Sequence, residues 1–129
     1  MKRITILLAA AALVLTVSVP AVLAAGGDGT RIVLKAAKAF PAAKGSAKVT
    51  AKPGERELEV EVEHIRRLAG KRVAFFVGGK KLGTAKVGAL GGAQIDRNSE
   101  RGQFVPPVSA GTRVRVRTAA GFLIAKGSF

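Results

Sequence analysis

Residues 56–65 read RELEVEVEHI, so that Glu57, Glu59, Glu61 and Glu63 alternate with Leu58, Val60, Val62 and His64. Successive side chains on a strand point to opposite faces, and a period of two turns one face to a core and the other to water. Carboxylates two residues apart then stand in a line at ~7 Å spacing. A calcium ion needs six to eight oxygens converging at ~2.3–2.6 Å, which one straight strand does not supply. The segment is therefore expected to be a core strand with an acidic wet face. His64, by its parity, falls at the end of the apolar face.

Turn signals bound this strand and recur along the chain. SAKVTAK (46–52) leads through Pro53-Gly54-Glu55 into RELEVEVEHI as a hairpin, because proline and glycine fit the two corner positions of a tight turn. KRVAFFV (71–77), Gly78-Gly79 and KKLGTAKV (80–87) read as a second hairpin, and TRVRVRT (112–118), Ala119-Ala120-Gly121 and FLIAKGSF (122–129) as a third. TRIVLK (30–35) is expected to be a short strand, and AAKAFPAAKG (36–45) a Lys/Ala/Pro crossing loop, since Pro41 and Gly45 break any helix there. GAQIDR (92–97) and GQFVPPV (102–108) read as short strands around a loop, the latter at an edge because Pro106 and Pro107 donate no ladder hydrogen bond. No helical period stands out after the first 24 residues. The pattern predicts one all-β domain, an antiparallel β-sandwich, immunoglobulin-like or similar, or a small barrel of about seven to eight strands. AGKRV from Ala69 and AGTRV from Ala110 echo each other as two hairpins built by the same rules.

The N-terminus supplies an address. MKRITILLAAAALVLTVSVPAVLA (1–24) has a basic start, an apolar run, then Pro20 and a Val-x-Ala ending at Ala24, which is the grammar of a cleaved secretory signal peptide. The reading is export to the periplasm or the cell exterior, with 25–29 a flexible start and 30–129 the β domain. The alternative is a retained membrane anchor, the apolar run being close to the ~20 residues that span a bilayer. After cleavage no membrane-spanning segment is expected. With no cysteine in the chain, an exported domain of this size must be stable by packing alone.

Charge narrows the partners. The chain carries 22 Lys and Arg against 8 Asp and Glu, and 20 basic against 8 acidic residues remain once Lys2 and Arg3 leave with the leader, a net +12. Such a balance draws in anionic partners: acidic polysaccharides, lipopolysaccharide, anionic lipid surfaces or extracellular DNA. Bases usually stack on exposed aromatics, and with six Phe and no Tyr or Trp, sequence-specific nucleic-acid recognition is not expected. Lys35, Lys38, Lys44, Lys48 and Lys52, in what reads as the least ordered part of the domain, are the candidate polyanion contacts. Arg113, Arg115 and Arg117 repeat the period of the glutamates with opposite charge. If their strand lay beside the glutamate strand, Glu57, Glu59, Glu61 and Glu63 would face them as a structural charge ladder.

Catalytic and metal signatures are missing. A lone His64 with no cysteine builds no structural zinc site. Ser46, Ser99, Ser109 and Ser128 lie in no nucleophile motif. VGGKKLGT (77–84) has glycines before a lysine, but strand follows where a phosphate loop needs a helix N-terminus. Of Phe75 and Phe76, neighbours on a strand, one is expected in the core and the other partly covered. No enzyme activity, cofactor or metal is expected.

From Gly45 onward, GSAK (45–48), RELEVEVE (56–63), AGKRVAFFVGGKKLGT (69–84), GALGGAQID (88–96), VPPVSAGTRVRV (105–116) and GFLIAKGSF (121–129) resemble a family of small secreted bacterial β-domains. Its members often carry Asp-Gly or Asn-Gly in the second hairpin and a less basic balance, so Gly78-Gly79 and the +12 charge depart from the pattern. The resemblance implies export and an antiparallel β fold, and brings no activity with it. Function is expected to be non-enzymatic: a structural, adhesive or protein-interaction role in the envelope or outside the cell. The alternative is an electrostatic polyanion-binding module, and the third reading a small hydrolase or metal-binding protein. The sequence specifies no oligomeric state.

Overall fold

The computed structural model describes residues 29–129. The signal peptide expected at 1–24 and the flexible start, all but Gly29, lie outside the described residues. Eight strands follow in order: β1 (Thr30–Ala36), β2 (Lys44–Lys52), β3 (Glu55–Glu63), β4 (Arg72–Val77), β5 (Lys80–Lys86), β6 (Ala93–Asn98), β7 (Arg113–Thr118) and β8 (Leu123–Ser128). They form one antiparallel sheet in the order β5-β4-β7-β8-β1-β2-β3-β6, curled into a nearly closed barrel. Strand β1 joins the two halves, pairing through Thr30–Leu34 with β2 and through Lys35–Ala36 with β8.

Alternation sets the inside. Leu58, Val60 and Val62 of β3 are fully buried, as are Phe75 and Val77 of β4 and Val114 and Val116 of β7. The three expected hairpins form. Gly78 and Gly79 take φ of 61° and 81°, the two left-handed positions of a primed two-residue turn. Phe75 enters the core while Phe76 remains half-buried on the outer face, as the tandem predicts.

Between the end strands β5 and β6 the ladder is replaced by a side chain. Arg97 on β6 donates from Nη2 to the Leu82 carbonyl on β5 at 3.0 Å. The strands approach closely there because Gly83 has no side chain: a Cβ on it would stand 2.5 Å from Arg97 Nη2 and 3.0 Å from Ile95 Cδ1.

Three expectations change. GQFVPPV is not a strand; residues 102–112 cross from β6 to β7 irregularly, because Pro106 and Pro107 cannot donate to a ladder. The apolar run that suggested a strand instead supplies a plug: Val105 is buried, and its carbonyl accepts from Arg56 Nη2 at 2.8 Å. The crossing loop spans only 37–43, since β1 runs to Ala36 and β2 begins at Lys44. His64 lies outside β3 with φ of 65° and is exposed, so the apolar face ends at Val62 and the chain turns at His64. Among the described residues no helix is long and apolar enough to cross a membrane.

Candidate functional site

The outer face of the barrel is segregated by charge. On β3 the glutamates point outward, as their alternation dictates, and β2 meets them in register: Lys44 opposite Glu63, Lys48 opposite Glu59 and Lys52 opposite Glu55. Between them Ser46 lies opposite Glu61 and Thr50 opposite Glu57.

The charge ladder expected between the glutamates and Arg113, Arg115 and Arg117 does not exist. Strand β7 pairs with β4 and β8, and β8, β1 and β2 stand between it and β3. A period of two fixes which face a charge occupies but not which strand lies beside it. The tight turn at Pro53-Gly54 brings β2 to β3 at small entropic cost, and the lysines of β2, at every fourth residue, all fall on one face as the arginines of β7 do at every second.

This pairing redistributes the expected polyanion contacts. Lys35, Lys44, Lys48 and Lys52 are on ordered strands, not in a loose segment, and only Lys38 is in the 37–43 loop. Lys44, Lys48 and Lys52 have glutamates as register partners, so negative charge stands on the strand beside each of them. Among the described residues, positive charge with no acidic register partner gathers instead on β4, β7, β8 and the end of β1. Arg115 lies directly opposite Lys126, and Lys126 directly opposite Lys35, so three cations stand in one row across three strands. Arg113 and Arg117 flank Arg115 on the same face of β7.

The arginines' hydrogen bonds leave this charge in place. Arg31 donates to Ser46 Oγ at 3.0 Å, Arg72 to Thr84 Oγ1 at 3.1 Å and Arg117 to the Gly121 carbonyl at 3.0 Å. Arg67 donates to the Ala39 carbonyl and stacks over the Phe40 ring, 4.3 Å from its centroid. Each acceptor is neutral, so the charge of these four guanidinium groups is not cancelled by its anchor.

The acidic side holds a tight cluster. Carboxylate oxygens of Glu57, Glu59 and Asp96 lie within 4.8 Å of one another. Burial, then the charge of Asp96 and of Glu59, raises the Glu57 carboxyl above its ordinary range, and a hydrogen bond with Asp96 adds to this. Asp96 Oδ1 is buried without a partner. These residues are the set among the described residues that is placed to share a cation, and calcium would need most of its oxygens from water. Asp96 was not legible as a member, because it enters from β6 opposite Glu59 and nothing near it in sequence marks it.

His64 has no hydrogen bond to a serine or a carboxylate among the described residues, and the hydroxyls of Ser46 and Ser99 are engaged within the sheet and its connections. Ser46 Oγ donates to Glu61 Oε1 at 3.5 Å, and Ser99 Oγ accepts from the Arg56 amide at 2.8 Å. Compared with family models, curated proteins and solved structures, the chain matches none of them.

Proposed function

We propose that this is an exported, non-enzymatic β-domain that adheres to an anionic polymer of the envelope or cell exterior, an acidic polysaccharide, through the outer face of β7, β8 and the end of β1. The row Arg115–Lys126–Lys35 carries the reading. Like charges directly opposed on neighbouring strands destabilise a sheet, by roughly the 0.2–1 kcal/mol that opposite charges contribute. A polyanion lying across the row relieves that repulsion and gains three contacts at once. Export is supported by the leader-like residues 1–24, with their basic start, apolar run and small-residue end.

The test is retention on immobilised acidic polysaccharide beside a neutral one of similar length. Binding to the acidic matrix alone, released as salt rises, supports the proposal. Absence of retention at about 50 mM salt defeats it.

A further inference from the structure

Strand β4 directs Arg72, Ala74 and Phe76 toward the outer face by simple alternation, Ala74 being buried beneath its neighbours and Phe76 half-buried. Ala74 is the short one, and its register neighbours are Thr84 on β5 and Arg117 on β7. Longer side chains therefore rise around a low floor. The register shift in the β4–β5 ladder between Phe75 and Phe76 brings Lys81 opposite Phe76, closing the same hollow from the β5 side. The result is a groove of about 270 Å³ walled by Arg72, Lys81 and Arg117, with Ala74 and Phe76 beneath and no carboxylate in its lining.

Two of the three cations are pre-set. Arg72 is held through Nε by Thr84, and Arg117 through Nη1 by the Gly121 carbonyl. A guanidinium has five N–H donors in a planar fork, so each retains donors for a ligand after making its anchoring bond. An anchored fork loses less freedom on binding than a free one.

We propose that this groove is a subsite for one sugar ring bearing an anionic substituent, a carboxylate or a sulfate. The proposal rests on the acidic-polysaccharide reading above and names its chemistry. The C–H face of the ring packs on Ala74 and Phe76. Arg72 and Arg117 receive the planar or tripod oxygens as charge-assisted donors, with Lys81 as a third positive charge. The rest of the polymer continues over Arg115, which pairs with Phe76 at the groove edge, toward Lys126 and Lys35. Single-stranded nucleic acid fits less well, because Phe76 is half-buried and is the one aromatic residue in the groove lining.

Calorimetric titration of the exported protein with four probes tests this: an oligogalacturonate, a sulfated oligosaccharide, a neutral oligosaccharide and single-stranded DNA. Saturable binding of the carboxylated or the sulfated oligomer is expected, and whichever binds more tightly identifies the substituent. Ala74→Leu fills the groove without changing charge and should weaken that binding about tenfold or more, while retention on the acidic matrix keeps its salt dependence. Arg117→Met, which keeps an apolar stem and removes the fork, should weaken oligosaccharide binding to a similar extent and lower the salt slope by about one, and serves if Ala74→Leu does not fold. Wild-type affinity in Arg117→Met overturns the subsite and leaves the basic face standing. Equal binding of the neutral oligosaccharide, or tighter binding of the DNA, overturns it too. Loss of matrix retention by the wild-type protein would instead remove the reading on which the subsite rests.

Discussion

Arg115 on β7 and Lys126 on β8 are direct register partners, and Lys35 on β1 is the partner of Lys126 on its other side. Lys126 is thus the centre of a row in which each neighbour carries its own sign. Replacing it should improve the fold while impairing the polymer contact. Lys126→Glu is expected to raise stability by about 0.2–1 kcal/mol for each opposed cation, read by urea denaturation at low salt. The gain should shrink as salt screens the exposed charges. A destabilised Lys126→Glu would show that the row is not repulsive in the free protein.

Glu57 gives a pH dependence of definite sign. Its carboxyl is raised above the ordinary 4.5 by burial and by the charges of Asp96 and Glu59, so the folded state holds this proton more tightly than the unfolded chain. The stabilisation from that proton is complete below the ordinary value and is lost as pH rises through the raised one. Glu57→Gln should therefore be more stable than wild type at neutral pH and flatten the stability profile above pH 4.5. A variant whose profile stays parallel to wild type would exclude strain in the Glu57–Glu59–Asp96 cluster.

Phe75 and Phe76 separate structure from recognition. Phe75 is fully buried, and Phe75→Ala should cost about 3–5 kcal/mol, a large share of what a small domain has. Phe76 is half-buried at the groove, so Phe76→Ala should cost much less stability and weaken oligosaccharide binding instead. Thermal melts beside the titrations distinguish the two, and similar losses of stability would place Phe76 in the scaffold.

The extent of legibility follows from what each sequence signal encodes. The faces of β3 and the turn at Gly78-Gly79 could be read because alternation and paired glycines are local properties. The neighbour of β3 could not, because Lys44, Lys48 and Lys52 and Arg113, Arg115 and Arg117 each put their charges on a single strand face, and proximity in the chain decided between them. GQFVPPV misled because Val105 is apolar for a reason other than strand pairing. The groove needs the register of three strands, and Ala74 becomes a floor only when Thr84 and Arg117 are known to flank it.

The seam between β5 and β6 depends on one glycine. Gly83→Ala would force Arg97 away from the Leu82 carbonyl, given the 2.5 Å approach of a Cβ to its guanidinium. A loss of about 1–3 kcal/mol is expected, with faster hydrogen exchange concentrated in the amides of β5 and β6. Uniform exchange across all eight strands would mean that the seam does not open separately.

The salt dependence of binding to an acidic polysaccharide tests the basic face most directly, measured for wild type and for a variant with Lys35→Gln, Arg115→Gln and Lys126→Gln combined. The wild-type affinity should fall linearly on logarithmic axes as salt rises, and the variant's slope should be shallower by roughly one for each contact removed. An unchanged slope in the variant, or no binding by the wild type at about 50 mM salt, would contradict a face built for an anionic polymer.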